Sequence, residues 1–225
     1  MINFELYLEI GKKKVFASAV DWPGWSRSGR DQQQAIQMLL DYAPRYAKVL
    51  SLGQIDFQPP ENLSQLEVIE QHPGTSTTDF GAPDIIPAVD SQSFDLQAFE
   101  FSISLLNACW QAFEHALQAA AGKELRKGPR GGGRDTDKIT RHVIDANRAY
   151  LSRIAWSHKV DENSDAADQI RDIKQADVNA LNIAATNGLP KIGPRGGKIW
   201  PARYFVRRAA WHILDHTWEI EDRIP

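Results

Sequence analysis

The sequence predicts an α+β protein, a small N-terminal α/β module followed by a four-helix bundle. Three observations lead there. Two short apolar runs joined by a Gly-Lys turn open the chain, and four long segments with apolar residues at helical spacing fill its second half. Between them lies a stretch rich in Pro, Gly, Thr and Asp, which places a boundary near residue 90 and divides the chain into 1–90 and 91–225. A length of 225 residues suits one or two domains and a core that needs no covalent staples.

Taken in order, Phe4 to Ile10 alternates apolar and polar over part of its length, Gly11 to Lys14 forms a turn, and Val15 to Val20 is a second strand. Trp22-Pro23-Gly24-Trp25 breaks that strand. Asp31 is suited to cap a helix over about 32–49, whose inner face carries Ala35, Ile36, Leu39, Leu40 and Ala43. Pro44 is expected to kink or end it. Leu66 to Ile69 reads as a further strand, and His72 to Ser91 as a long connector. The helices of the second half fall at about 93–121, 135–156, 164–186 and 201–222, and their apolar stripes can be buried against one another.

Composition excludes several classes. Hydrophobic residues at 42% and charged residues at 24% are incompatible with general disorder. A net charge of −3 gives no whole-chain basic footprint, so nucleic acid is not an expected partner. No apolar run approaches the ~18 residues of a membrane helix, so no membrane role is expected. The single cysteine, Cys109, excludes an intramolecular disulfide and a multi-thiolate metal site; its place between Leu106 and Phe113 reads as core. The first residues lack the pattern of a signal peptide, and the expected setting is a reducing cytoplasm.

The chemistry points to histidines. His212 and His216 stand four apart in the last helix, so their side chains share one face, beside Phe205, Ala209, Ile213 and Ile220. His142 lies within the stripe of Ile139, Val143, Ala146 and Tyr150 on the second helix. Two imidazoles from one helix and one from a neighbour form a facial set that leaves open positions for water or substrate. Imidazoles hydrogen-bonded within the core are the alternative. His72 and His158 fall in expected loops, and His115 lies on a polar flank.

Carboxylates near the three histidines are candidates for acid–base work or for orienting a ligating ring. Glu219 lies seven residues after His212, Asp145 three after His142, and Asp177 interrupts the third helix's apolar stripe. Pairing with arginine is their structural alternative. Two Gly-Pro-Arg-Gly-Gly segments, Gly128 to Gly132 and Gly193 to Gly197, each precede a histidine-bearing helix. With Arg130, Arg134, Arg195 and Lys198 they read either as a shared anion-binding rim near the histidines or as two solvated basic loops. No Ser-His-Asp arrangement is legible. Trp211 and Trp218 share a helix face with Leu214, and a stripe of that kind is expected to be covered, by residues 1–90 or by a second copy of the chain in a homodimer.

The residues Thr140-Arg141-His142-Val143-Ile144 and Arg208 to His216 give residues 93–225 a resemblance to the DinB/YfiT-like four-helix bundle proteins. The resemblance implies a divalent metal, zinc or nickel, on His142, His212 and His216, and an unusual connection order for the bundle. It also implies a metal-dependent enzyme that activates water, as a hydrolase, or a small thiol, as a transferase, acting on a small-molecule substrate. Val15 to Gly29 resembles the strand, Pro-Gly turn and following segment of HicB-like domains, with Trp22 and Trp25 outside the usual pattern; it implies a fold for the first module and no role. A protein that binds a metal or a partner macromolecule without catalysis is the alternative reading of the whole.

Overall fold

The computed structural model describes residues 3–127, 133–159, 161, 163–193 and 196–225. The chain divides into two compact units, Met1–Gln92 and Ser93–Pro225.

The first unit is built on a four-stranded sheet. Strands β1 (Phe4–Ile10), β2 (Val15–Ala19) and β3 (Ser26–Gly29) form an antiparallel meander, and β4 (Leu66–Pro73) returns parallel to β1, giving the order β3-β2-β1-β4. Helix α1 (Gln32–Leu52) starts at Asp31, whose side chain accepts from the Gln34 N–H, and packs on β2 and β3. Pro44 neither ends nor shortens it. The helix runs on to Leu52, because Tyr46, Val49 and Leu50 continue the buried stripe past the proline. That burial outweighs the one helical hydrogen bond that Pro44 cannot donate. Trp25 shows why the Trp-Pro-Gly-Trp turn is so aromatic. Its ring is fully buried, its Nε1 donates to the Leu39 carbonyl at 2.9 Å, and it stacks on Tyr46 with centroids 5.9 Å apart.

Strand β4 reaches further than Leu66 to Ile69, so His72 lies on a strand and not in a loop; its Nε2 sits 2.8 Å from Glu70. The segment that follows is not open coil. It carries a short helix, α2 (Ser76–Phe80), capped by Thr75. It is tied to β1 through Glu9, a fully buried carboxylate that accepts from the backbone N–H groups of Asp84 at 2.8 Å and Ile85 at 2.9 Å and from the Thr78 hydroxyl at 3.2 Å. Burial pushes the Glu9 carboxyl above its ordinary range, opposed by these hydrogen bonds.

The second unit consists of α3 (Leu96–Ala120), α4 (Thr136–Arg153), α5 (Ala166–Thr186) and α6 (Ala202–Arg223). Asp95, Asp135 and Asp165 cap the first three, each accepting the N–H three residues on. Helix α3 packs on α5 and α6, and α4 packs on the same two. Sequential helices α3 and α4, and likewise α5 and α6, therefore stand on diagonals, and two connections cross the bundle. Helices α4 and α6 run antiparallel: the Arg126 N–H, ahead of α4, bonds the Arg223 carbonyl at the end of α6, and the Trp200 N–H, ahead of α6, bonds the Arg153 carbonyl at the end of α4. Helix α6 is buried on nearly every side, Trp211 and Trp218 included. Cys109 is a core residue, and burial pushes its thiol far up. Among the described residues no helix is long and apolar enough to cross a membrane.

Candidate metal centre

The α4–α6 pair brings the three histidines together. His142 sits in the second turn of α4, where Ile139 and Val143 turn that face inward. His212 and His216 lie one turn apart from the middle of α6 onward, on a helix that packs against α4. One ligand nitrogen from each ring lies within 4.8 Å of the other two. The Nε2 atoms of His142 and His212 are 3.3 Å apart, and the ring centroids stand 4.7–5.0 Å from one another. His212 and His216 are each 8% exposed, while His142 is half-buried, so the cluster opens on the His142 side.

Electrostatics keep two of these rings neutral. Burial lowers the His212 pKa well below its ordinary value, and the neighbouring His216, His142, Arg208 and Arg134 add to the effect. His142 is lowered for the same reasons, burial first, then His216 and Arg134. Neutral imidazoles with free lone pairs are the form that ligates a metal. Three histidines so close could hold a divalent ion.

Of the three sequence-predicted carboxylates, Glu219 belongs to this site. It follows His216 by three residues on α6 and its Oε2 lies 2.7 Å from His216 Nδ1. Its other oxygen accepts from Arg223 Nη1 at 2.6 Å, and Arg223 Nε donates to the Arg126 carbonyl at 2.8 Å. The hydrogen bond to His216 holds the Glu219 carboxyl below its usual range. Asp145 is half-exposed and pairs with Arg148 at 3.0 Å; one turn from His142, it acts on that ring through its charge. Asp177 lies in the bundle core, where it accepts from Asn147 Nδ2 at 2.7 Å and Trp110 Nε1 at 3.3 Å, with its carboxyl pushed up to about 7 by burial.

The first glycine segment, Gly128 to Gly132, lies outside the described residues, but the cations that follow the two segments stand apart. Arg134 stands just before α4, and Lys198 stands beside its far end, with the 18-residue helix between them, ~27 Å long. The expected shared rim is therefore corrected for Arg134 and Lys198: antiparallel α4 and α6 place these two cations at opposite ends of the helix pair. Arg134 remains near enough to the histidines to act on His142 and His212. Arg130 and Arg195 lie outside the described residues.

Sequence reasoning missed a neighbouring pair. The Tyr150 ring stands edge-on to His212 at 5.7 Å, and Arg208 hydrogen-bonds Tyr150 while its guanidinium lies 4.8 Å from the Trp211 ring centre. Burial raises the phenol's pKa, and Arg208 opposes it. The signal was present: Arg208 precedes His212 by four residues, and Tyr150 follows His142 by eight, two helical turns on. Comparison with known proteins finds no matching family model, no matching curated protein and no matching solved structure.

Proposed function

We propose that residues 93–225 form a DinB-like metal-dependent enzyme, with His142, His212 and His216 holding one divalent ion, zinc or nickel. The observation that carries this reading is the nitrogen spacing. Four-coordinate zinc at ~2.0–2.1 Å from each nitrogen sets neighbouring nitrogens about 3.3 Å apart; the His142–His212 pair is already at 3.3 Å, and all three candidate nitrogens are within 4.8 Å. The chemistry of the donor set agrees, since His142 and His212 are held neutral. An ion bound there supplies Lewis acidity that eases deprotonation of a water or a small thiol.

The remaining work belongs to this chain's own residues. Glu219 accepts the Nδ1 proton of His216 at 2.7 Å, which fixes the tautomer and leaves Nε2 as the free nitrogen. Arg223 in turn fixes Glu219. Tyr150, held by Arg208, is a hydrogen-bond donor beside His212 for a polar group of a small-molecule substrate. Hydrolysis and thiol transfer both fit this arrangement. The first unit is read as a HicB-like α/β fold, and the setting as the cytoplasm.

The test is metal content. Protein prepared without a His tag should carry or take up one equivalent of zinc or nickel, located by anomalous scattering between the three rings. Loss of that equivalent in His212→Ala, with an unchanged circular dichroism spectrum, supports the site. A wild-type chain that takes up neither metal at micromolar concentration refutes it. Zinc-loaded protein assayed against activated esters, and against electrophiles with a small thiol, then separates hydrolase from transferase.

A further inference from the structure

A second cleft lies at the other end of α4. Its volume is about 590 Å³, within the range of small-molecule sites. Arg148 and Arg153 from the last turns of α4 line it, with Trp156 and His158 from the segment that follows and Gly197 and Lys198 from the second glycine segment. Arg153 is eleven residues past His142, about 16 Å along the helix. The cleft is therefore separate from the histidine cluster.

Three features point to a ligand. The first is charge. Arg148, Arg153 and Lys198 line the cleft, and no carboxylate does among the described residues. Arg148 shares its charge with Asp145 at 3.0 Å, which leaves about two positive charges, a match for a dianion. The second is an orphaned nitrogen. His158 Nε2 is buried and has no hydrogen-bond partner among the described residues. Buried polar atoms are nearly always bonded, so this one is suited to an oxygen entering the cleft. The third is the shape of the wall. Gly193 N–H is bonded to the Gly197 carbonyl at 2.9 Å, and Ile192 is bridged to Lys198. Among the described residues a side chain at Gly197 would meet nothing within 4 Å, so a ligand can approach its backbone closely. The indole of Trp156 adds a flat apolar surface.

We propose that this cleft binds a small phosphate monoester with a flat apolar body, its phosphate held by Arg148, Arg153 and Lys198 and its body against Trp156. A phosphate monoester is largely dianionic at neutral pH and offers three acceptor oxygens, which a carboxylate does not. The proposal is independent of the metal reading.

Calorimetric titration of the full untagged chain with phenyl phosphate, in low salt and with a chelator present, tests it. Saturable binding at millimolar concentration or tighter is expected, with competition by inorganic phosphate and little binding of phenol. Arg148→Ala/Lys198→Ala should weaken binding at least tenfold, and His142→Ala should leave it unchanged. Lys198→Glu, a single change at an exposed position, gives the same readout if the double variant misfolds. No saturable binding to the wild type overturns the proposal, as does equal affinity for phenol. Loss in His142→Ala with retention in the double variant also overturns it, because the anion would then sit among the histidines. With the chelator present, absence of a metal site leaves every arm readable.

Discussion

Asp177 allows a quantitative test of how the bundle core is assembled. Its carboxylate is 2% exposed on α5 and receives hydrogen bonds from Asn147 Nδ2 and Trp110 Nε1, with no cation among these partners. Burial pushes the group from 3.8 to about 7. The folded chain thus holds a proton on Asp177 through a pH range where the unfolded chain has released it. Stability falls as pH rises wherever the folded state binds more protons. The loss begins near the unfolded value of 3.8 and is complete above the folded value of about 7. At ~1.4 kcal/mol per pKa unit the whole interval is worth about 4 kcal/mol, and the part between pH 5 and pH 7 about 3 kcal/mol.

Asp177→Asn removes the titration and keeps the shape. The Asn147 amide can turn over, so that the new amide N–H donates to its oxygen while Trp110 still donates to the new carbonyl. The buried Asn147 Oδ1, which has no partner among the described residues, gains one in that arrangement. The expected result is a variant whose stability advantage over wild type grows by about 3 kcal/mol between pH 5 and pH 8. Urea denaturation at both pH values, followed by circular dichroism, measures it. A stability difference that does not change with pH, or one that shifts against the variant at pH 8, refutes the reasoning.

Three further outcomes follow from the geometry. Glu219→Gln should weaken zinc binding by 10- to 100-fold in a chelator competition, because His216 loses the carboxylate at 2.7 Å that orients it. Trp25→Phe should cost about 1–3 kcal/mol in the unfolding free energy, since the Nε1 bond to the Leu39 carbonyl is lost inside a filled aromatic cluster. Glu9→Ala should raise hydrogen exchange at the Asp84 and Ile85 amides well above that of the β1–β2 ladder, which keeps its own bonds.

Much of the fold was legible because its signals are local. Asp31 caps a helix where a short acceptor precedes an apolar stripe, and the β1–β2 hairpin follows from two apolar runs around Gly11. What was not legible is non-local. Nothing in Leu66 to Pro73 says that this strand pairs parallel to β1, or that His72 is carried onto it. The order of a connector is equally hidden when one residue far away supplies it: Thr78, Asp84 and Ile85 are held by Glu9. Pro44 misleads for a related reason, since its local cost is offset by a buried face that only the sheet provides.

The site divides in the same way. The spacing of four between His212 and His216 fixes a common face, and helix geometry carries that result into three dimensions. That α4 would bring His142 to that face depends on the bundle's order, in which α4 neighbours α6 and not α3. The same order separates Arg134 from Lys198, although the glycine segments beside them look equivalent in sequence. Two adjacent antiparallel helices have their leading loops at opposite ends, so Arg134 stays beside the histidines while Lys198 joins Arg148 and Arg153. A repeated motif therefore states what a loop can bind, and only the direction of the helix after it decides which site the loop serves. For this chain the second glycine segment, expected to complete the metal centre, furnishes a cleft of its own.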